Sequence, residues 1–266
     1  MSAAPMRVAC ERWPVADLGR RLDRHDAFVC VTSLLGNAED IEHAREVFDD
    51  AERDRFERYE NREVARRFAI SRLKLRGMLA SVLSMAPGVV PIRIGLHGKP
   101  ALARAAQSSG VRFSVAHCDD LLLVAFARGA DIGVDVERVR PIERWARVAD
   151  RVFGASDRAQ LEREIEMTGD TETTFFRYWC RGEAELKALG TGIIGLAAHR
   201  EGKRPPGLRV AELTNLPMPE ELRVSQVRYE AAVALCVARE GNAAQSAVDA
   251  RNARPPRITP INPSTA

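Results

Sequence analysis

The sequence predicts an α+β protein of two similar halves, in each of which helices pack on a small, mostly antiparallel sheet. Apolar residues recur at helical spacing over residues 38–85, and strand-type patterns follow at 92–128. The same order returns later, with helical patterns at 141–189 and strand patterns at 195–238. The halves share no residue-level repeat, so only their order of elements is similar. The predicted units are an N-terminal half, 1–131, a C-terminal half, 132–239, and a tail, 240–266.

The first half begins with a strand pattern over Ala27 to Leu35. A strongly charged segment follows, and its Phe and Leu residues recur at helical spacing until Pro87 and Gly88 end the pattern. Short strands are predicted at 91–96 and 112–115. Two apolar runs, Leu121 to Ala127 and Ile132 to Val136, are joined by a short connection that contains Gly129, which predicts a β-hairpin at the centre of the sheet.

The second half begins with three helical patterns. They cover 141–152, 157–167 and 171–189, and Gly190 is expected to end the third helix. Strands are then expected at four places, of which the last two form an antiparallel edge: 195–200, 208–213, 222–228 and 231–238. The tail beyond Glu240 has no aromatic residue and four prolines among its last twelve residues, so it is expected to be disordered.

Composition excludes several classes of protein. Of the 266 residues, 45% are hydrophobic and 29% are charged, which is ordinary for a globular chain and unlike a disordered or collagen-like one. The net charge of +3 gives no overall signal for a nucleic-acid partner. The run Leu121 to Ala127 is the longest apolar stretch and falls far short of the roughly 20 residues that span a bilayer. We therefore expect neither nucleic-acid binding nor a membrane span.

Two further features, the N-terminal segment and the cysteine spacing, bear on the compartment and on disulfide or zinc sites. The segment Met1 to Pro14 contains Arg7, Glu11 and Arg12 and lacks the apolar stretch of a secretory signal, so a cytoplasmic protein is expected. The five cysteines are scattered and form no CxxC pair, which disfavours a disulfide framework and a zinc site.

Two acidic residues, Asp135 and Glu137, lie two apart in a predicted strand. Side chains alternate along a strand, so both carboxylates leave one face while Val134 and Val136 point into the core. Such an oxygen-rich pair suits Mg²⁺, which binds one or two carboxylates together with water and substrate phosphates. A solvated edge strand accounts for the same spacing, and by spacing alone it is the commoner outcome.

A second group of candidates follows one stripe of the third helix. Trp179, Glu183 and Lys187 are four residues apart in turn, so they share one face. A surface ion pair worth about 0.2–0.5 kcal/mol is the simpler explanation. However, only four of the 40 basic residues are Lys, and an ammonium group gives up its proton far more readily than a guanidinium group. The scarcity of Lys favours a chemical role for Lys187.

Two further residues lie where a phosphate could be bound. His117 ends a predicted strand before a turn, although a lone His is more often structural. Cys118 follows it, but adjacent strand residues point apart, so a Cys/His dyad is not expected. Lys99 lies in the tight turn Gly98-Lys99-Pro100, which is compatible with phosphate contact but too short for a P-loop.

Four motifs, taken in order, resemble the Sfp-type 4′-phosphopantetheinyl transferases, a family of two pseudo-symmetric α+β halves. The motifs are GKP (98–100), FSVAHC (113–118), GVDVE (133–137) and FFRYWCRGEAELKALGTGI (175–193), to which an Arg-rich helix ending at Leu73 to Arg76 is added. The resemblance spans most of the chain. It implies an enzyme that transfers 4′-phosphopantetheine from coenzyme A to a serine of an acyl or peptidyl carrier protein.

The resemblance also implies a role for each candidate residue. Asp135, Glu137 and Glu183 would hold Mg²⁺ on the CoA pyrophosphate. Glu183 would accept the proton of the carrier serine, and Lys187 would protonate or stabilise the departing phosphate. The residues expected to bind CoA phosphates are Lys99, His117 and either Arg67 or Arg72. Because the site would form between the halves of one chain, a monomer suffices.

The chain departs from the family pattern near the proposed CoA site. Ala116 and Cys118 replace the serines that flank the motif His, Ser114 replaces an Asn, and Gly182 replaces the Lys before Glu183. Each lost hydrogen bond to a charged group is worth about 1.5–3 kcal/mol. Two alternatives therefore remain open. One is a diverged protein that has lost transferase activity and binds or acts on a carrier-linked intermediate, and the other is a binding or scaffold protein.

Overall fold

A computed structural model describes residues 5–95, 98–192, 204–223 and 227–237, and it confirms the α+β class. The strands are, in chain order, β1 (Val8–Arg12), β2 (Ala27–Ser33), β3 (Ile92–Ile94), β4 (Pro100–Leu102), β5 (Val111–Cys118), β6 (Leu121–Arg128), β7 (Asp131–Arg138), β8 (Leu208–Glu212) and β9 (Tyr229–Cys236). The helices are α1 (Leu18–Leu22), α2 (Ala38–Val47), α3 (Asp50–Glu57), α4 (Arg62–Leu83), α5 (Trp145–Val152), α6 (Ala155–Thr168) and α7 (Thr171–Leu189).

Three side-chain caps divide the charged segment of the first half into three helices. Asn37 and Asp49 each accept a hydrogen bond from the third residue of the following helix, and the acid at that third position bonds back. Asn61 accepts from the backbone N–H groups of the second and third residues of α4. The predicted α7 is confirmed at both ends, with Asp170 as its N-cap and Gly190 in a left-handed conformation after its last turn.

The first half is built on a four-stranded sheet, in the order β1-β2-β6-β5. β1 and β2 are parallel, and the other neighbours are antiparallel. β1 and α1 were not anticipated from the sequence. On one face of the sheet, α4 buries Ile70, Leu75, Met78 and Leu79 against Phe28 and its neighbours.

The predicted hairpin between Leu121 to Ala127 and Ile132 to Val136 is wrong, because β6 and β7 belong to different sheets. β6 is hydrogen-bonded on both sides, to β2 and to β5, so it has no free edge for a further strand. After Gly129 the chain crosses to a second sheet, in which β7 pairs with β9. The two sheets share a core that includes Val29, Leu123, Val134 and Val233.

The predicted antiparallel edge of 222–228 with 231–238 is also wrong. β9 lies at the centre of the second sheet, between β7 and β8. Leu222 belongs to a short 3-10 turn, Glu220–Leu222, and not to a strand. The predicted strand at 195–200 and the predicted disordered tail, 240–266, lie outside the described residues. The exact limits of the two halves stay a prediction.

Helix α7 packs directly on the second sheet, along β7 and β9. Its buried Cys180, Ala184 and Ala188 contact Ala232 and Ala234 of β9, so small side chains bring the helix close to the strands. This close packing places the polar face of α7 beside Asp135 of β7. Within the part of the chain that the structure describes, no helix has the length and apolarity that a membrane crossing requires.

Candidate active site

The centre of the site is an ion pair between β7 and α7. Lys187 Nζ donates hydrogen bonds to Asp135 Oδ1 (2.7 Å) and to the Val134 carbonyl (3.1 Å). The contact depends on Gly133, since a Cβ at that position would lie 2.0 Å from the Ala184 carbonyl oxygen. The strand and the helix therefore meet at a distance that a larger residue would not allow, and this brings two of the predicted residues together.

The strand that carries Asp135 is covered on both faces. The Asp135 carboxylate is therefore buried, unlike that of a solvated edge strand. Its neighbours Val134 and Val136 point into the core as predicted, and α7 covers the opposite face, so that Asp135 is only 7% exposed. Its second oxygen, Oδ2, is buried without a hydrogen-bond partner among the described residues. A buried carboxylate oxygen normally has a partner, so Oδ2 is the atom of Asp135 that is open to a ligand.

Glu183 lies one turn before Lys187 on the same face of α7. Burial raises the pKa of the Glu183 carboxyl, and the negative charges of Asp135 and Glu137 add to this effect against the opposing charge of Lys187. Glu183 is therefore electrostatically coupled to both acids of β7. The structure thus places Asp135, Glu137, Glu183 and Lys187 near enough to interact electrostatically, and their roles stay predictions.

Glu137 has partners that the sequence did not predict. Arg140 Nη1 donates to Glu137 Oε2 at 3.1 Å, and the guanidinium lies 4.5 Å from the centre of the Phe176 ring. Cys118 Sγ lies 3.9 Å from the same oxygen. Burial raises the pKa of Glu137, although its hydrogen bond from Arg140 opposes the shift. An Arg three residues after a candidate metal carboxylate was the only sequence signal for this contact.

Cys118 is not an activated thiol. Its sulfur accepts a hydrogen bond from the Arg138 backbone N–H, and burial raises the pKa of the thiol to about 11. A thiolate nucleophile needs a lowered pKa. The structure is therefore in agreement with the expectation that no Cys/His dyad forms with His117.

The fit of the acidic residues to a divalent cation depends on their donor atoms. Within residues 5–95, 98–192, 204–223 and 227–237, no three His, Cys, Asp or Glu side chains are already arranged around a common point. Lys187 donates to one oxygen of Asp135, and Arg140 donates to one oxygen of Glu137. The donor set still suits a hard cation, since it consists of carboxylates and includes the unpartnered Oδ2 of Asp135.

Lys99 reaches this site from the first half of the chain. Its Nζ donates to two backbone carbonyls, that of Ile132 (2.8 Å) and that of Lys187 (2.6 Å). Burial lowers the pKa of Lys99 to about 8. Two of its three N–H groups are thus used within the protein, and its predicted contact with CoA stays a prediction.

His117 and Arg67 lie on the side of the site that faces the first half. The pKa of His117 is lowered by desolvation and by the positive charges of Lys187 and Arg67, so both of these groups lie near His117. Arg67 Nε forms ion pairs with Glu63 (2.9 Å) and with Asp120 (3.2 Å). Arg67 is thus already paired with two carboxylates, and the predicted contacts of His117 and Arg67 with CoA phosphates stay predictions.

Arg72 has different partners. Its side chain is 12% exposed, stacks on Phe68 and lies 3.6 Å from the Glu52 carboxylate, in the contact between α3 and α4. These contacts favour a packing role for Arg72, which leaves Arg67 as the better of the two candidates for an anion.

Comparison with known families matches both halves of the chain. Residues 36–128 match the family described as 4′-phosphopantetheinyl transferase, N-terminal. Residues 131–217 match the 4′-phosphopantetheinyl transferase superfamily. The second match contains β7 and α7, and therefore Asp135, Glu137, Glu183 and Lys187.

Individual relatives carry the same description. The chain is 36% identical over 139 residues to the 4′-phosphopantetheinyl transferase HetI of Nostoc sp., which covers 50% of this chain and 56% of that protein. It is 30% identical over 115 residues to the 4′-phosphopantetheinyl transferase AcpT of Salmonella typhimurium, covering 43% of this chain and 56% of that protein. The chain thus spans only a little more than half the length of these relatives.

Proposed function

Because the chain belongs to the 4′-phosphopantetheinyl transferase superfamily, we propose that it transfers 4′-phosphopantetheine from coenzyme A to a serine of an acyl or peptidyl carrier protein. The observation that carries the proposal is the meeting of Asp135, Glu183 and Lys187 between β7 and α7, beside Glu137. The proposed enzyme depends on Mg²⁺ and is cytoplasmic. We propose a monomer, since one chain supplies residues from both halves to the site.

The metal would be held by the carboxylates of Asp135, Glu137 and Glu183. When bound, Mg²⁺ would neutralise negative charge on the phosphoryl oxygens of CoA. The unpartnered Oδ2 of Asp135 supports this assignment, because it is a buried carboxylate oxygen open to a ligand.

Two residues of α7 would accept the serine proton and stabilise the leaving group. Transfer forms a bond between the serine oxygen and the phosphorus of phosphopantetheine, and it breaks the bond from that phosphorus to the oxygen of the leaving 3′,5′-adenosine bisphosphate. Glu183 would take the serine proton, and its raised pKa makes it a stronger base than an ordinary carboxylate. Lys187 would stabilise the negative charge that develops on the leaving phosphate oxygen.

The phosphates of CoA would be bound on the side of the site that belongs to the first half. His117 would supply a hydrogen-bond donor there and Arg67 a positive charge, and His117 is electrostatically coupled to both Lys187 and Arg67. Lys99 is less suited to such a contact, since two of its three N–H groups are donated to backbone carbonyls.

A second candidate function is a diverged protein that binds a carrier-linked intermediate without transfer. The specific observation is at the strand that carries His117. Ala116 is buried and offers no hydroxyl, and the Cys118 thiol lies beside Glu137 with its sulfur bonded to the Arg138 backbone. Neither position supplies the hydroxyl that the family pattern has there.

Intact-mass spectrometry of an apo carrier protein, incubated with this protein, CoA and Mg²⁺, tests the proposed transfer. We expect a mass gain equal to one phosphopantetheine, lost on addition of EDTA. Glu183→Gln should abolish the gain, while Glu172→Gln, a matched change on the first turn of the same helix, should leave it unchanged. Full transfer by Glu183→Gln would show that the assigned mechanism is wrong.

The diverged alternative is tested by restoring the family pattern. If the wild-type chain transfers nothing to several carriers beside an active control enzyme, CoA affinity should be compared with that of the double variant Gly182→Lys, Ala116→Ser. A clear rise in affinity would support loss of transfer through these departures. An unchanged affinity would contradict that explanation.

A further inference from the structure

Lys99 joins the two halves of the chain at the end of α7. It lies in the turn between β3 and β4 of the first half, yet both of its hydrogen-bond acceptors, Ile132 O and Lys187 O, belong to the second half. One acceptor is in β7 and the other in the last turn of α7. A single ammonium group therefore fixes the strand, the helix and the β3–β4 turn to one another.

The Lys187 carbonyl is one of the acceptors at the C-terminus of α7. The last four carbonyls of a helix have no partner within the helix, and a basic side chain stabilises them through hydrogen bonds and the helix dipole. Among the described residues, the Gly190 N–H also donates to this carbonyl, at the longer distance of 3.3 Å. The contact from Lys99, at 2.6 Å, is therefore the shorter of the two.

Lys187 takes part in both contacts. Lys99 donates to its backbone carbonyl, and its own side chain donates to Asp135. Lys187 is thus fixed at its backbone by Lys99 and at its Nζ by Asp135 and the Val134 carbonyl. Helix ends fray within the last turn, and Lys187 is two residues before the end of α7. Loss of the contact at its backbone would release its side chain from a defined position.

We propose that Lys99 is a positioning residue, which fixes the last turn of α7 against β7 and so holds the Lys187 ammonium in place for the transferred phosphate. This inference rests on the proposed transfer reaction. It gives Lys99 a different role from direct binding of a CoA phosphate. Three charged groups act on Lys99: Asp131, Arg112 and Lys187. Two of them form an ion pair, with Arg112 Nε 3.6 Å from Asp131 Oδ1.

The test compares Lys99→Met, which keeps the apolar stem and removes the donors, with Lys99→Arg, which keeps donors. Arg93→Met is the matched control, because Arg93 is on the same hairpin and donates to the Leu102 carbonyl within the first half. Amide hydrogen exchange reports on the last turn of α7, and steady-state kinetics at a temperature where every variant is folded give kcat and KM for CoA.

We expect Lys99→Met to speed amide exchange of residues 186–191 by about tenfold or more, the effect of losing hydrogen bonds to a charged donor. We also expect kcat to fall about tenfold or more while KM for CoA stays within twofold, with partial recovery in Lys99→Arg. Arg93→Met should match the wild type in all three quantities.

Two results would overturn the proposal. One is a KM for CoA raised about tenfold with unchanged kcat and unchanged exchange, which would make Lys99 a direct phosphate ligand. The other is faster exchange with unchanged kcat, which would make its role purely structural. If the wild-type protein transfers nothing, the proposed function fails, but the exchange comparison still shows whether Lys99 fixes the end of α7. If Lys99→Met does not fold, Lys99→Gln takes its place.

Discussion

The contact at Gly133 determines whether the site can form. An added Cβ would lie 2.0 Å from the Ala184 carbonyl oxygen and 2.5 Å from the Ala188 amide nitrogen, whereas ordinary van der Waals contact begins at 3.4 Å. Both neighbours are backbone atoms of α7, which cannot turn away as a side chain can. Gly133 does not have a positive φ, so an Ala there would be strained only by this contact.

We therefore predict that Gly133→Ala forces α7 and β7 apart by about 1 Å. Overpacking of this kind costs about 1–3 kcal/mol of stability. A misplacement of about 1 Å in a catalytic constellation costs roughly 10²-fold in rate. The displacement would stretch the 2.7 Å bond between Lys187 and Asp135, so we expect transfer to fall about 100-fold in protein that is still folded.

The matched control is the same substitution at Gly77. This glycine is inside α4, and a Cβ there would meet only Trp13 Cζ2, at 4.0 Å. Gly in a helix interior is about 1 kcal/mol less favourable than Ala, so Gly77→Ala should stabilise the protein. Urea unfolding at pH 7 measures both free energies, and the mass assay measures transfer. If Gly133→Ala is as stable and active as the wild type, the argument from close approach is refuted.

Three further predictions concern buried groups. Burial and Asp135 raise the pKa of Glu183, so ionised Glu183 destabilises the fold at neutral pH and Glu183→Gln should melt at a higher temperature than the wild type. The difference should shrink as the pH falls below the raised pKa and vanish below the ordinary pKa of an exposed Glu, and a lower melting temperature at pH 7 would contradict this. Arg76 is fully buried on Glu52, with a 2.7 Å bond, so Arg76→Met should lower the unfolding free energy in urea by about 3–5 kcal/mol, and a loss below about 1 kcal/mol would argue against the pair. Cys118, with a thiol pKa of about 11, should react slowly with iodoacetamide at pH 8 in the folded protein, and alkylation as fast as that of the unfolded chain would show a different environment.

The alignment of the candidate residues could be predicted from the sequence because their spacing is local, whereas their roles are those that the family resemblance implies. A two-residue period places Asp135 and Glu137 on one face of a strand, and a four-residue period aligns Glu183 with Lys187. The structure retains both relationships. The burial of Asp135 could not be predicted in this way, since it depends on the approach of α7 over Gly133.

The strand pairing of the apolar runs could not be predicted in the same way. The run Leu121 to Ala127 and the run Ile132 to Val136 have the pattern of a hairpin, yet each pairs with strands distant in sequence. Both runs are nearly all buried, so their composition is the same whether they pair with each other or form two stacked sheets. Local pattern does not distinguish these arrangements.

The sequence by itself determined the α+β class, the limits of α7, the four motifs and the periodicity that aligns the candidate residues. Only the tertiary structure decided which sheet each strand joins, that Arg72 packs against α3, that Arg140 holds Glu137, and that Lys99 binds the end of α7. The physical reason is the range of the interactions. Periodicity and capping act within one element, whereas pairing, close approach and charge contacts depend on residues that meet only when the chain has folded.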